Sequence, residues 1–170
     1  MTPGPDEYAP AFAPYIDRIG PDEDVTGVLE TQLGLLAGLV ERLGEERGDY
    51  RYAAGKWSVK DILGHLTDTE RVFSCRALRF ARGDTTPLPA FDDQSYVQEA
   101  GSARRTVAAM AGEWADVRRA SLSLLGGIDA DAWRRRGMAG GAPASVRALA
   151  YIIAGHTRHH LDTLSARYLG

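Results

Sequence analysis

The chain contains four histidines, and their spacing is the first sign of chemistry. His65 stands alone, whereas His156, His159 and His160 are grouped near the end of the sequence. Residues four apart lie one turn apart on the same side of a helix, so His156 and His160 can point in one direction. A third imidazole from another helix would complete a three-nitrogen site for a divalent metal and leave one coordination position open.

The angular positions of the histidines favour three of them as metal ligands. Each residue of a helix advances by about 100°, so His160 lies about 40° from His156 and His159 lies at about −60°. The apolar stripe of the same predicted helix, at about 20–80°, contains Val146, Leu149, Ile153 and Leu164. His65 borders the apolar stripe of its own predicted helix. We therefore predict His65, His156 and His160 as ligands and place His159 at the rim of the site.

The alternative is that these histidines are structural, with ring nitrogens satisfied by backbone carbonyls. Three imidazoles in one apolar place are harder to accommodate in that way. Each needs hydrogen-bond partners, and each would repel the others once protonated below its ordinary pKa of about 6.5. Because a bound cation relieves both problems, the pattern favours a metal site, provided that the two helices are neighbours.

Apolar periodicity predicts four long helices that must position these residues. They run from about Asp24 to Glu46, from Val59 to about Ala81, from about Arg104 to Leu125, and from a cap at Ser145 to about Tyr168. The clearest start signal is Ser58 followed by Asp61, which resembles a capping box with a shortened acid. No segment shows convincing strand alternation. The predicted fold class is therefore all-α, a four-helix bundle.

The segments between the helices also carry information. Two long connections, Asp84–Gly101 and Asp129–Pro143, argue against a simple up-down bundle with short turns, and the first of them is long enough to suggest a function. Residues 1–20 are rich in proline and predict an irregular N-terminal arm. A chain of 170 residues fits one domain, so residues 1–170 are predicted to form a single bundle domain.

Composition narrows the classes of partner. The formal net charge of −3 gives no positive field for nucleic acid, and the arginine runs, such as Arg118-Arg119, are interpreted as a solvated face. No stretch approaches the roughly 18 apolar residues of a membrane span, and the first residues lack a signal-peptide pattern, so we expect a cytoplasmic protein without a membrane partner. The single cysteine, Cys75, excludes an internal disulfide and is predicted to be a small buried or half-buried residue.

Two segments resemble a known family. The run GKWSVKDILGHLTDTERVFSCRALRFARGDTTPLPAFDDQSYV and the terminal AGHTRHHLDTLSARYL are similar to the DinB-like (YfiT-like) superfamily of metal-dependent proteins. The resemblance covers the chain from about Tyr8 onward. It implies a four-helix bundle with long crossover connections in an up-down-down-up arrangement, a homodimer, and a zinc or nickel ion. It also implies ligands that map onto His65, His156 and His160.

The resemblance leaves the reaction open. Some members of the family resemble thiol S-transferases that use a low-molecular-weight thiol, and we expect a metal-dependent transferase or hydrolase acting on a small-molecule substrate. Asp68, one turn after His65, could orient an imidazole or act as a base, and Arg76 could contact an anionic group of a substrate or thiol. Glu70 and Arg71 are expected to form local ion pairs on the helix surface. The alternative is a non-catalytic, stress-related metal-binding interaction protein in which a protein side chain fills the fourth position.

The ligand assignment predicts unequal effects of two neighbouring substitutions. We expect His160→Ala to lose most of the bound metal and His159→Ala to keep it, because only His160 lies within the inward-facing stripe. Elemental analysis of both variants, purified without chelator or nickel affinity resin, measures the difference. Equal loss in the two variants would contradict the assignment.

Overall fold

Helices account for most of the chain in the computed structural model, which describes residues 2–169. The α-helices are α1 (Ala13–Ile16), α2 (Val25–Leu43), α3 (Val59–Ala81), α4 (Asp93–Glu99), α5 (Val107–Gly126) and α6 (Val146–Arg167). A two-stranded antiparallel hairpin, β1 (Arg136–Ala139) and β2 (Ala142–Ser145), precedes α6. Within residues 2–169, no helix is both long and apolar enough to cross a membrane.

The four long helices α2, α3, α5 and α6 form the bundle. Helix α3 packs against α5 and α6, and α2 packs against the same two helices. Of the consecutive bundle helices, only α3 and α5 pack extensively on each other, so the connections from α2 to α3 and from α5 to α6 must cross the bundle ends. The predicted all-α four-helix bundle with long crossover connections is confirmed.

Local capping explains where the two histidine-bearing helices begin. The Ser58 hydroxyl accepts a hydrogen bond from the Asp61 N–H at 3.1 Å, and the Asp61 carboxylate accepts one from the Ser58 N–H at 2.9 Å. This capping box satisfies two free donors at the start of α3, which begins and ends where the sequence predicts. The Ser145 hydroxyl likewise accepts a hydrogen bond from the Ala148 N–H at 3.0 Å and caps α6.

The connections are more ordered than the sequence predicts. The first contains the short helix α4, and the second contains the hairpin, although no strand was expected there. Each strand has only four residues, too few to show an alternating pattern. Gly140 and Gly141 have φ values of 61° and 82° and form the turn between the strands. Such left-handed conformations favour glycine over residues that carry a Cβ.

The N-terminal arm also contains short helical turns rather than only irregular chain. Helix α1 packs directly on α6, at a position where α6 carries Gly155. A Cβ at Gly155 would lie 1.9 Å from the carbonyl oxygen of Tyr15, so only glycine permits this close approach. Arg18, just after α1, donates a hydrogen bond to Asp162 at 2.8 Å. The arm is thus bound along the face of α6 that precedes and includes the histidine segment.

A buried arginine joins all four helices of the bundle. The Arg118 side chain on α5 is fully buried and donates to both carboxylate oxygens of Glu70 on α3, at 2.7 and 2.8 Å. It also donates to the Leu29 carbonyl and the Gln32 side chain on α2, at 3.0 and 2.7 Å. Its remaining contact is the Thr157 hydroxyl on α6, at 2.9 Å. One guanidinium therefore bonds to each of the other three helices.

Three sequence-based expectations are wrong here. Arg118 does not belong to a solvated face, and Glu70 does not form a surface ion pair, because each is buried against the other. Cys75 is exposed rather than buried. Ten helical steps from His65 turn Cys75 about 80° away from it on the side opposite the apolar stripe, which explains its exposure.

The buried ion pair predicts a large and specific loss of stability. Arg118→Met leaves the Glu70 carboxylate buried without its cation, so we expect the free energy of unfolding to fall by about 3–5 kcal/mol in urea titrations. Arg119→Met is the matched control, since Arg119 is exposed beside Asp116, and should change stability by about 0.5 kcal/mol or less. The double variant Glu70→Met/Arg118→Met should recover much of the loss. Equal effects of the two single substitutions would refute this account.

Candidate metal centre

Three imidazoles meet where α3 packs against α6. The Nε2 atom of His65 lies 2.8 Å from Nε2 of His156, and Nε2 of His160 lies 3.1 Å from the same atom. All three side chains are buried, and one ligand atom from each lies within 4.8 Å of the others. The condition left open by the sequence, that the two helices are neighbours, is met.

The three rings cannot satisfy one another by hydrogen bonding, because Nε2 of His156 lies within hydrogen-bond distance of two other Nε2 atoms. A neutral imidazole nitrogen carries either one hydrogen or one lone pair. Nε2 of His156 therefore cannot complete linear hydrogen bonds to both His65 and His160. A divalent ion would accept a lone pair from all three atoms, and at Zn–N distances of about 2.0–2.1 Å two tetrahedral ligands lie about 3.3 Å apart. The observed Nε2–Nε2 distances of 2.8 and 3.1 Å are slightly shorter than this value, and three imidazole nitrogens are suitable ligands for such an ion.

The Nδ1 atoms contribute little to the orientation of His65 and His160. Nδ1 of His65 lies 3.5 Å from the Thr69 hydroxyl, one turn along α3. Nδ1 of His160 is buried and has no hydrogen-bond partner within the described chain. Trp57 packs on two of the rings, with its centroid 4.6 Å from that of His65 and 6.2 Å from that of His160. His160 is thus positioned by its Nε2 contact with His156 and by packing against Trp57.

Burial keeps the three imidazoles neutral. Desolvation lowers the pKa of His65 to about 4, although the carboxylate of Asp93 acts in the opposite direction. Desolvation and the nearby His65 ring lower the pKa of His160 to about 3. The pKa of His156 is also lowered well below its ordinary value, first by desolvation and then by its histidine neighbours. Neutral rings are the form in which histidine binds a metal.

His159 lies beside the centre and faces the N-terminal arm. Its Nδ1 accepts a hydrogen bond from the guanidinium of Arg18 at 3.2 Å. The Tyr15 ring packs edge-on against His156 and His159, at centroid distances of 5.2 and 5.9 Å. The structure therefore separates His159 from the three converging nitrogens, as the helical angles predict, and gives Nδ1 of His159 a partner of its own.

Two cavities adjoin the three imidazoles. The arm-side cavity, of about 260 Å³, is lined by His65 and His156, by Asp93, and by aromatic residues that include Tyr15, Phe73 and Phe91. The Lys56 cavity, of about 250 Å³, is lined by His159 and His160, by Lys56 and Gln94, and by aromatic residues that include Trp57 and Tyr168. Small molecules could therefore approach different members of the histidine group through different openings.

Asp93 is a candidate functional residue that sequence reasoning missed. It follows Asp92, which caps α4 by accepting a hydrogen bond from the Gln94 N–H at 3.0 Å. Asp93 lines the arm-side cavity, and its negative charge acts to raise the pKa of both His65 and Tyr15. The available signal was the pair of adjacent acids in a long connection, but sequence alone does not show which acid turns inward.

The two supporting residues predicted from the sequence lie elsewhere. Asp68 is half-buried on α3, where its carboxylate lies 3.6 Å from the guanidinium of Arg71, and burial raises its pKa. Arg76 donates a hydrogen bond to the Pro89 carbonyl at 2.8 Å and packs against Phe73 and Phe91. The roles suggested for Asp68 as a base and for Arg76 as an anion contact stay predictions, and the observed partners of both residues are structural.

Comparisons with known proteins agree with this architecture. The family model described as the DinB superfamily matches residues 29–164. A solved structure of YfiT from Bacillus subtilis, described as a probable metal-dependent hydrolase with an unusual four-helix bundle topology, superposes with a TM-score of 0.76. That match has 17% sequence identity and covers 95% of this chain and 93% of YfiT. A search of curated proteins found no match.

The lowered histidine pKa values predict how stability of the metal-free protein depends on pH. Between about pH 6.5 and pH 4, His65 binds a proton in the unfolded chain but not in the folded chain. The contribution of this histidine to the free energy of unfolding is therefore fully present above about pH 6.5 and is lost as the pH falls toward 4. The expected slope is at most about 1.4 kcal/mol per pH unit for each such histidine. Urea unfolding at several pH values should show a smaller slope for His160→Gln than for the parent. An unchanged slope would contradict burial of a neutral His160.

Proposed function

This chain belongs to the DinB superfamily, and we propose that it is a metal-dependent enzyme whose divalent ion is bound by His65, His156 and His160. The observation that carries this proposal is the convergence of three buried Nε2 atoms that cannot satisfy one another. Three neutral nitrogen ligands suit zinc or nickel among the common divalent ions. When bound, such an ion supplies a water or thiol ligand of lowered pKa.

A catalytic rather than purely structural site is supported by what surrounds the three ligands. A structural ion of this kind has four protein ligands. The two residues that could have closed the site have other partners, since Asp68 pairs with Arg71 and Nδ1 of His159 accepts from Arg18. Within residues 2–169 the metal-ligating group contains the three histidines alone. A coordination position would therefore remain for water or substrate.

Hydrolysis is the reaction that the arm-side cavity supports best. Asp93 has no ion-pair or hydrogen-bond partner among the side chains of the described residues, and it lines the cavity together with two of the ligands. Such a carboxylate can accept a proton from water that attacks a carbonyl group. Phe73 and Phe91 line the same cavity and limit the access of bulk water. The description of YfiT as a probable metal-dependent hydrolase is consistent with this choice.

Thiol transfer is the second candidate, and one observation favours it. A reaction between a low-molecular-weight thiol and an electrophile needs places for two molecules, and the histidine group adjoins two cavities. One cavity would hold the thiol near the open position while the other holds the electrophile.

We further propose that the protein acts on small molecules as a homodimer in the cytoplasm, without nucleic acid or a membrane as partner.

The two reactions can be separated with the metal-loaded protein. We expect hydrolysis of 4-nitrophenyl acetate in the absence of thiol, lost in His65→Ala and reduced at least about 100-fold in Asp93→Asn because the proton acceptor is gone. Asp92→Asn is the matched control, since asparagine also caps a helix, and it should retain activity. The metal content of Asp93→Asn should equal that of the parent.

A different outcome would identify the second candidate. Product formation from 1-chloro-2,4-dinitrobenzene only when cysteine is added, with chloride released as the thiol sulfur bonds to the ring, would support thiol transfer over hydrolysis. If the parent protein contains no zinc or nickel and binds neither when it is added, both reactions are refuted and the histidines have a structural role.

A further inference from the structure

The Lys56 cavity differs in charge from the arm-side cavity on the other side of the histidines. Lys56 is exposed, lines the Lys56 cavity, and has no carboxylate within 4.0 Å among the described residues. The other residues lining this cavity are neutral side chains and histidines, and none is acidic. The arm-side cavity instead contains the carboxylate of Asp93. An anion is therefore attracted to the Lys56 cavity and repelled from the arm-side cavity.

The acid nearest to Lys56 in sequence does not neutralise it. Asp61 lines a neighbouring groove together with Lys56. Its carboxylate is already occupied, because it lies 2.8 Å from the guanidinium of Arg51 and accepts the Ser58 N–H of the capping box at 2.9 Å. The charge of Lys56 thus remains available to a ligand in the Lys56 cavity.

The walls of this cavity are aromatic and fixed. The Tyr168 hydroxyl donates a hydrogen bond to the Trp57 carbonyl at 2.7 Å, and the Tyr52 ring packs edge-on against Tyr168 at 5.3 Å. Burial raises the pKa of Tyr168 to about 12, so this wall carries no negative charge at neutral pH. Trp57 lies nearly parallel to His160, with 23° between the ring planes. A flat apolar group can pack against the faces or edges of such rings.

The size of the cavity limits what can fill it. A volume of about 250 Å³ lies just below the range of about 300–1,000 Å³ that is typical for drug-sized ligands. Gln94 provides a side-chain amide in addition to the cation, whereas the Thr163 hydroxyl already donates to the His159 carbonyl at 2.9 Å. A compact molecule with one flat apolar part and one anionic group matches this set of walls.

We propose that the Lys56 cavity binds the anionic part of the substrate, a small aromatic or planar carboxylate, with the carboxylate at Lys56 and the planar part against Trp57 and Tyr168. The arm-side cavity with Asp93 is then left to the attacking water. Binding at this site does not require the metal. The assignment of the bound molecule as a substrate rests on the proposed function, because the cavity is lined by His160, one of the proposed ligands.

Benzoate is a suitable probe, and the indole N–H signals of the three tryptophans report where it binds. In ¹⁵N-labelled, metal-free protein we expect benzoate to shift the Trp57 signal and to leave those of Trp114 and Trp133 unchanged, since only Trp57 lines the cavity. Lys56→Gln should weaken this binding at least tenfold. Arg42→Gln, which removes an exposed positive charge on α2, is the matched control and should bind like the parent. Benzamide, the uncharged isostere, should bind the parent and Lys56→Gln equally weakly.

Repeating the titration with zinc-loaded parent and with His65→Ala separates this proposal from the metal proposal. Binding that depends on Lys56 in all of these proteins supports the cavity assignment even if no metal-dependent activity is found. Binding that is unchanged in Lys56→Gln but lost in His65→Ala would show benzoate acting as a metal ligand and would overturn the assignment. So would the absence of any shift at Trp57.

Discussion

The structure depends on one buried guanidinium. Arg118 bonds to Glu70, to Thr157 and to two groups of α2, so every helix of the bundle has a polar contact with the same side chain. A buried arginine of this kind is tolerated only when its donors have partners, which restricts how the four helices can shift or rotate relative to one another. Thr157 directly follows His156, and Glu70 lies five residues after His65. The same bonds therefore help to fix the distance between the two helices that carry the imidazoles.

With α3 and α6 held in this way, the histidines occupy a place where water cannot stabilise their charged form. Their pKa values fall because of desolvation, and their Nε2 atoms converge on a common centre. The surroundings divide this centre into two sides of opposite character, one with the carboxylate of Asp93 and one with the ammonium of Lys56. A small molecule that carries both a reactive carbonyl and an anionic group would be oriented by that difference in charge.

The sequence predicts the bundle and the inward faces of the three histidines because both follow from local periodicity, whereas the pairing of their two helices was implied only by the family resemblance. A period of 3.6 residues marks the inward faces of α3 and α6, and the Ser58 capping box marks the start of α3. The inward orientations of Glu70, Arg118 and Asp93 could not be predicted in the same way. A charged residue is ordinarily assigned to solvent, and only its partners on other helices reveal that it is buried. The hairpin was missed because four-residue strands leave no measurable alternation.

The close contact between Tyr15 and Gly155 has a consequence for the order of folding. The arm is synthesised before α6, yet its contacts with α6, such as that between Arg18 and Asp162, span 144 residues. Loop closure over such distances is slow compared with formation of a helix, and α6 must leave the ribosome before the arm has a surface to bind. While α6 is being made, His65 has neither of its partner imidazoles. An ion that needs all three rings can therefore be bound only after α6 has docked on α3, and the arm likewise binds only once α6 is available, so the centre is assembled from distant parts of the chain.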